Sequence, residues 1–175
     1  MSVTEIRIAG FGGQGVMLAA DIIGQAACIH TAGYATKTQN YGPEARGGAS
    51  SSALIVSDEP ILYPYTTSLD ILVALSQEAY SKFSPELNPA GMLIVEQDLV
   101  PLGDLPESTK VFRLPATRMA EELGRKIVMN VVVVGYFAAK SGLLPKQAYI
   151  DAISEAVPKK ALDLNLKAFE AGYNA

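Results

Sequence analysis

The sequence predicts an α/β fold: a Rossmann-like open sheet, mostly parallel, with helices on both faces and a helical C-terminal third. Three observations predict it. Short apolar runs typical of strands alternate with longer apolar runs of helical length, as in parallel strands joined by helices. A glycine-rich turn joins the first strand to the first helix. The chain is 175 residues long, which predicts one domain over residues 1–175.

Periodicity, run length and turn residues place the elements in order. The predicted strands cover residues 3–9, 34–38, 50–56, 61–63, 71–75, 92–95 and 111–114. The predicted helices cover residues 15–30, 77–83, 116–123, 127–140, 146–156 and 158–171. Residues 39–48 are rich in glycine and polar residues, which predicts a loop.

Three of these assignments need a reason of their own. Residues 71–75 form a continuous apolar run, which is typical of a strand covered on both faces. Residues 131–134 are four consecutive valines, and β-branched residues favour a strand locally. They lie inside an unbroken apolar run over 127–140, however, and that length favours a helix.

Composition excludes several classes of function. The net charge is −4 and no basic stripe occurs, so we expect no nucleic-acid partner. Cys28 and His30 are the only residues of their types. The chain alone therefore cannot build a zinc site, a disulfide framework or an iron–sulfur cluster, and we expect no bound metal. Cys28 lies in the apolar first helix, which predicts a small buried hydrophobic residue.

The N-terminus and the apolar runs bear on localisation. No basic segment followed by an apolar segment and a cleavage site begins the chain. No uninterrupted apolar run reaches the roughly 18 residues of a membrane span. A single cysteine suits a reducing compartment. We therefore expect a cytoplasmic protein with no membrane contact.

The stretch GFGGQG, residues 10–15, has the spacing of a nucleotide-binding turn. Glycines allow a tight turn, and the following helix N-terminus offers free N–H groups to an anion. The candidate ligand contacts are Gly12, Gly13, Gln14 and Gly15. One hypothesis is therefore an autonomous protein that binds NAD(P) or FAD through this turn. No acidic residue ends the second strand to hold a ribose, and that counts against the hypothesis.

A second segment carries a more specific pattern. It combines glycines and a proline with one acid, one base and one phenol. Its candidate functional residues are Tyr41, Gly42, Pro43, Glu44, Arg46, Gly47 and Gly48. One interpretation is a solvated loop with an internal ion pair, which contributes little to stability. The other is a rigid loop whose guanidinium meets an anion or a neighbouring chain.

These segments together resemble a known family. AGFGGQGV followed by QNYGPEARGGASSS is similar to the gamma subunit, or gamma domain, of 2-oxoacid:ferredoxin (acceptor) oxidoreductases. The similarity continues through residues 64–79 and through two later segments, 130–135 and 141–145. Asn130 begins one of them. For its side chain we favour a structural hydrogen bond to a nearby loop over a ligand contact.

The resemblance implies a function for the whole complex. Such enzymes decarboxylate a 2-oxoacid oxidatively and yield an acyl-coenzyme A, using thiamine diphosphate, Mg²⁺, iron–sulfur clusters and coenzyme A. Alpha, beta and delta subunits hold these groups, and ferredoxin or flavodoxin accepts the electrons. The gamma part is noncatalytic and lies near the coenzyme A region.

The chain itself suits that division of labour. It has no CxxC motif and no thiamine diphosphate motif, so we expect no cofactor on this chain alone and no activity without its partners. General similarity favours 2-oxoglutarate as the substrate. Branched-chain and indolepyruvate relatives stay open, as does a homodimer of the isolated chain through exposed apolar surface.

Overall fold

The computed structural model describes residues 3–41 and 49–175. Its strands are β1 (Thr4–Phe11), β2 (Tyr34–Tyr41), β3 (Ala49–Ser57), β4 (Leu69–Ala74), β5 (Leu87–Glu96) and β6 (Lys110–Leu114). Its helices are α1 (Val16–Cys28), α2 (Gln77–Phe83), α3 (Ala116–Glu122), α4 (Met129–Ser141), α5 (Lys146–Ala156) and α6 (Leu162–Tyr173). Short 3₁₀ turns cover Ser84–Glu86, Lys126–Val128 and Lys159–Ala161.

The strands form one six-stranded sheet in the order β2-β3-β1-β4-β5-β6. Strands β1, β4, β5 and β6 pair in parallel, whereas β3 is antiparallel to both β1 and β2. The stretch between β2 and β3 is too short for the crossover that parallel neighbours need, so the two strands pair as antiparallel neighbours. The predicted open, mostly parallel α/β sheet is confirmed.

Helices cover both faces of the sheet, as predicted. On one face, α1 and the C-terminal helices α3 to α6 bury side chains of β1 such as Ile6 and Ile8. On the other face, α2 and the segment after β5 cover Leu72, Leu93 and Val95. Burial on both faces explains why residues 71–75 and 92–95 of these strands are continuously apolar in sequence.

Helix α4 is the most deeply buried helix, because all of its residues from Met129 to Ala138 are buried. It contains the four valines, so the helix prediction is confirmed and burial outweighs their β propensity. Gly135 of α4 and Gly172 of α6 lie at the crossing of these two helices. A Cβ atom on Gly172 would lie 2.8 Å from the Val132 carbonyl carbon, and one on Gly135 would lie 2.9 Å from the Tyr173 nitrogen.

Three local predictions are wrong. Residues 61–63 form no strand, and residues 39–41 are the end of β2 rather than a loop. Cys28 is exposed, because it lies on the same half-exposed face of α1 as Asp21 and Gln25. Its neighbour Ile29 is likewise 59% exposed. No described helix combines the length and hydropathy of a membrane span.

Candidate functional site

The GFGGQG stretch is the turn between β1 and α1. Gly12 and Gly13 are exposed. Gly13 and Gly15 have φ angles of 96° and 73°, which is the left-handed region that favours glycine. Gly15 is the N-cap residue of α1 and has no side chain to bond the first amides of the helix. The Ala19 amide donates a hydrogen bond to the Gly15 carbonyl. The amides of the first turn of α1 thus follow directly after the exposed Gly12 and Gly13.

The side chain of Gln14 points back into the protein. Its Oε1 accepts a hydrogen bond from the Phe11 amide at 2.6 Å, and its Nε2 donates to the Leu75 carbonyl at 2.9 Å. Leu75 follows β4 directly, and its own amide donates to the Ala9 carbonyl at 2.8 Å. Gln14 therefore ties the turn to the carboxyl end of β4. A ligand contact by Gln14 stays a prediction, and both polar atoms of its amide already have partners in the chain.

Asn130 lies beside the same turn, although 115 residues separate it from Gly15. Its side chain is buried in the first turn of α4, and its Nδ2 donates to the Gly15 carbonyl at 3.4 Å. A Cβ atom on Gly15 would lie 2.7 Å from the Asn130 Cγ. The glycine is therefore required for the close approach of α1 and α4, and Asn130 makes the structural hydrogen bond to a loop that its sequence context favours.

The second predicted segment lies largely outside the described residues. Gly42, Pro43, Glu44, Arg46, Gly47 and Gly48 are all in the undescribed stretch, as is the Glu44–Arg46 ion pair of one interpretation. Tyr41 is the last residue of β2 and pairs in register with Ser50. Because Phe11 at the end of β1 pairs with Ala49, the segment leaves and re-enters the sheet at the edge that carries the glycine turn.

Two clefts open at this edge. One, of about 250 Å³, is lined by Gly10, Asn40, Ser51, Ser76 and Lys82 among others. The other, of about 530 Å³, lies between Gly13 and the exposed Leu99 and Ile127. Both adjoin the carboxyl ends of parallel strands, where ligands bind in open α/β sheets.

A buried glutamate that sequence reasoning missed shapes the second cleft. Glu96 ends β5 and is 1% exposed. Its carboxylate accepts hydrogen bonds from the amides of Asp98 and Leu99 at 2.9 Å and of Thr117 at 3.3 Å. Three amide donors offset the cost of burying this carboxylate and fix the cleft wall. A lone acid directly after a buried apolar strand was the sequence signal.

Other polar residues have structural partners rather than a shared site. The Lys37 ammonium pairs with the Asp21 carboxylate, so the one base of β2 is already occupied. The Asp70 carboxylate accepts from the Glu5 amide at 2.9 Å and from the Asn88 side chain at 3.0 Å. Within residues 3–41 and 49–175 no three histidine, cysteine or carboxylate side chains cluster as metal ligands.

Comparison with known proteins identifies the family. Residues 5–175 match the family described as pyruvate ferredoxin/flavodoxin oxidoreductase. The chain belongs to this pyruvate ferredoxin/flavodoxin oxidoreductase family. The family resemblance seen in the sequence is thereby confirmed, and the alternative of an autonomous dinucleotide-binding protein is not supported.

Two curated relatives match this chain along nearly the whole length of both proteins. The 2-oxoglutarate synthase subunit KorC of Methanocaldococcus jannaschii is 44% identical over 97% of this chain and 91% of its own. KorC of Methanothermobacter marburgensis is 46% identical over 96% of this chain and 94% of its own. Among solved structures, the gamma subunit of a keto/oxoacid ferredoxin oxidoreductase from Geobacter sulfurreducens superposes with a TM-score of 0.87. It is 38% identical, and the match covers 99% of this chain and 96% of the other.

Proposed function

We propose that this chain is the noncatalytic gamma-type subunit of a multi-subunit 2-oxoacid:ferredoxin oxidoreductase whose substrate is 2-oxoglutarate. The observation that carries the proposal is the 44 to 46% identity to two 2-oxoglutarate synthase subunits over more than nine-tenths of each chain. An interpretation as one domain over residues 1–175 fits the single sheet into which all described strands pair.

The chemistry of the reaction belongs to other chains in this proposal. One cysteine cannot supply the four thiolates of an iron–sulfur cluster. Thiamine diphosphate with Mg²⁺, bound elsewhere in the complex, would stabilise the carbanion formed on decarboxylation. We propose that alpha, beta and delta subunits hold the cofactors, that coenzyme A takes the acyl group, and that ferredoxin or flavodoxin takes the electrons. A cytoplasmic location suits such soluble carriers.

We propose the carboxyl edge of the sheet as the face toward the coenzyme A region and the neighbouring subunits. Several features that suit a ligand or partner lie together at this edge. They are the exposed Gly12 and Gly13, the start of α1, and both ends of segment 42–48. In this proposal Gly12 to Gly15 and residues Tyr41 to Gly48 supply contacts. Asn130 holds the turn in place through Gly15.

The test is reconstitution. The chain is expressed alone and together with the alpha, beta and delta subunits, and ferredoxin reduction is measured with 2-oxoglutarate, pyruvate and 3-methyl-2-oxobutanoate in the presence of coenzyme A. We expect no turnover by the chain alone and the highest kcat/KM of the complex for 2-oxoglutarate. Turnover by the isolated chain would contradict the noncatalytic role. A preference for another 2-oxoacid would contradict the substrate assignment alone.

A further inference from the structure

The connection between β3 and β4, residues 58–68 and here called the strap, presents an exposed apolar cluster. Leu62 is 95% exposed, Tyr63 61% and Tyr65 59%. The two tyrosine rings meet edge to face, with centroids 5.5 Å apart. Three large side chains are thus exposed within four residues, and clustered exposed apolar side chains mark interaction surfaces.

The strap is held in place at one end by two half-buried charged side chains of β1. The Arg7 guanidinium donates to the Thr66 hydroxyl at 3.0 Å and lies over the Phe83 ring at 4.5 Å. The Glu5 carboxylate accepts from the amides of Thr67 at 2.5 Å and Ser68 at 2.9 Å. Two charged side chains of β1 therefore bond to the strap. Fixing residues 66–68 reduces the conformational entropy that the strap loses when a partner covers it, which favours binding.

Charge separates two candidate occupants. The strap itself carries two acidic residues, Asp58 and Glu59, and no basic residue, so its charge is −2. Beside it, the Glu86 carboxylate pairs with the Arg7 guanidinium. A second copy of the chain would bring the same negative charge to a two-fold contact, which repels. A partner with basic residues around an apolar pocket would attract it.

We propose that Leu62, Tyr63 and Tyr65 anchor this chain in an apolar pocket, rimmed by lysine or arginine, on another subunit of the oxidoreductase. The inference rests on the proposed function and adds a surface to it. Tyrosine is enriched among the residues that dominate binding energy at such interfaces. The strap lies on the α2 side of the sheet, where Tyr65 and Thr66 line a cleft with Arg7 and Thr38.

A competition experiment tests the anchor. Wild-type chain and a variant carrying Leu62→Ser, Tyr63→Ser and Tyr65→Ser are tagged differently and co-expressed with limiting amounts of the other subunits. The ratio of the two chains in the purified complex is measured by mass spectrometry. A matched control carries Ile29→Ser and Val111→Ser, which remove exposed apolar side chains at the end of α1 and on the far edge strand β6. Thermal melts of each isolated chain verify folding.

We expect the wild type to exceed the strap variant in the complex by about tenfold or more, and the control to compete evenly. Glu59→Lys should also lower incorporation, because it repels a basic rim. Even incorporation of the strap variant overturns the anchor while leaving the proposed function intact. A wild-type chain that enters no complex overturns both. Dimers of the isolated wild type that the strap variant abolishes, with assembly unchanged, would assign the strap to a second copy and overturn the anchor.

Discussion

At the scale of single residues, Gln14 decides what the glycine turn can do. In open α/β sheets a ligand crevice forms where neighbouring strands send their helices to opposite faces. Here that place lies between β1 and β4, since α1 and α2 pack on different faces. The Gln14 amide bridges it by bonding Phe11 and Leu75. A turn with the glycine spacing of a dinucleotide site thus connects β1 to the end of β4 through the Gln14 side chain.

Replacing Gln14 should therefore cost stability. In Gln14→Ala the Phe11 amide and the Leu75 carbonyl lose their partner, and we expect the free energy of unfolding to fall by about 1–3 kcal/mol. Urea denaturation measures the change. The control is Gln147→Ala, whose exposed amide bonds only Asp151 one turn along α5, and it should change stability by less than about 0.5 kcal/mol. Equal stability of the two variants would contradict a bracing role.

Tyr149 gives a prediction about alkaline pH. Burial raises the pKa of its hydroxyl well above the ordinary value, although the Ser141 side chain and the Leu144 backbone lie close enough to lower it in part. Because the folded pKa exceeds the unfolded value of about 10, this residue's contribution to stability is full below pH 10. It is lost progressively as the pH rises above 10.

Between about pH 9 and about pH 11, we expect the free energy of unfolding of Tyr149→Phe to fall less than that of the wild type. Denaturant midpoints across this range, with Tyr63→Phe as an exposed control, measure it. At neutral pH the substitution should be close to neutral, since the hydroxyl has no hydrogen bond of good geometry within the described residues. An unchanged pH profile would show that the pKa of the Tyr149 hydroxyl is the same in the folded and the unfolded chain.

At the scale of elements, the crossing of α4 and α6 depends on two glycines. In Gly135→Ala or Gly172→Ala the added methyl would press on the backbone of the opposite helix, which cannot move aside like a side chain. We expect a loss of about 1–3 kcal/mol or more. Gly24→Ala in α1 is the control, because its Cβ would meet the Leu54 side chain at an ordinary 3.5 Å. It should hold or raise stability through helix propensity.

Thermal and urea unfolding of the three variants test this crossing. If Gly135→Ala were as stable as Gly24→Ala, the two helices would have room to separate, and the shared glycine contact would not be what sets their distance.

An element could be predicted when the residues that determine it lie close together in the sequence. The strands β4 and β5 and the helix α5 follow from apolar runs and from Pro145, which fix an element without reference to the rest of the chain. The contact between Asn130 and Gly15 joins residues 115 apart, and no spacing encodes it. Cys28 was misplaced because α1 is apolar on most sides in sequence, which hides the half-exposed face that Cys28 shares with Asp21 and Gln25. Glu96 was missed because its three amide donors come from the turn and helix that fold around it.

At the scale of the whole molecule, the proposed role is to join other subunits of the complex. The glycine turn, the ends of segment 42–48 and two clefts share one edge of the sheet, and the strap occupies one face. The buried Glu96 and the half-buried Gln14 help to hold these surfaces through hydrogen bonds. This arrangement suits a subunit that positions partners, and its defects should appear in the complex rather than in the isolated chain.

Arg46 provides the corresponding prediction. If its guanidinium serves coenzyme A or a neighbouring subunit, Arg46→Ala should leave the melting temperature within about 2 °C, as surface substitutions do, yet lower the activity or assembly of the complex by about tenfold or more. Arg46→Lys should restore little, because a lysine cannot make the paired hydrogen bonds of a guanidinium. Arg125→Ala, at an exposed position before α4, is the control. A large drop in melting temperature with normal assembly would instead identify Arg46 as half of an internal ion pair with Glu44, and the segment as part of the fold rather than of the interface.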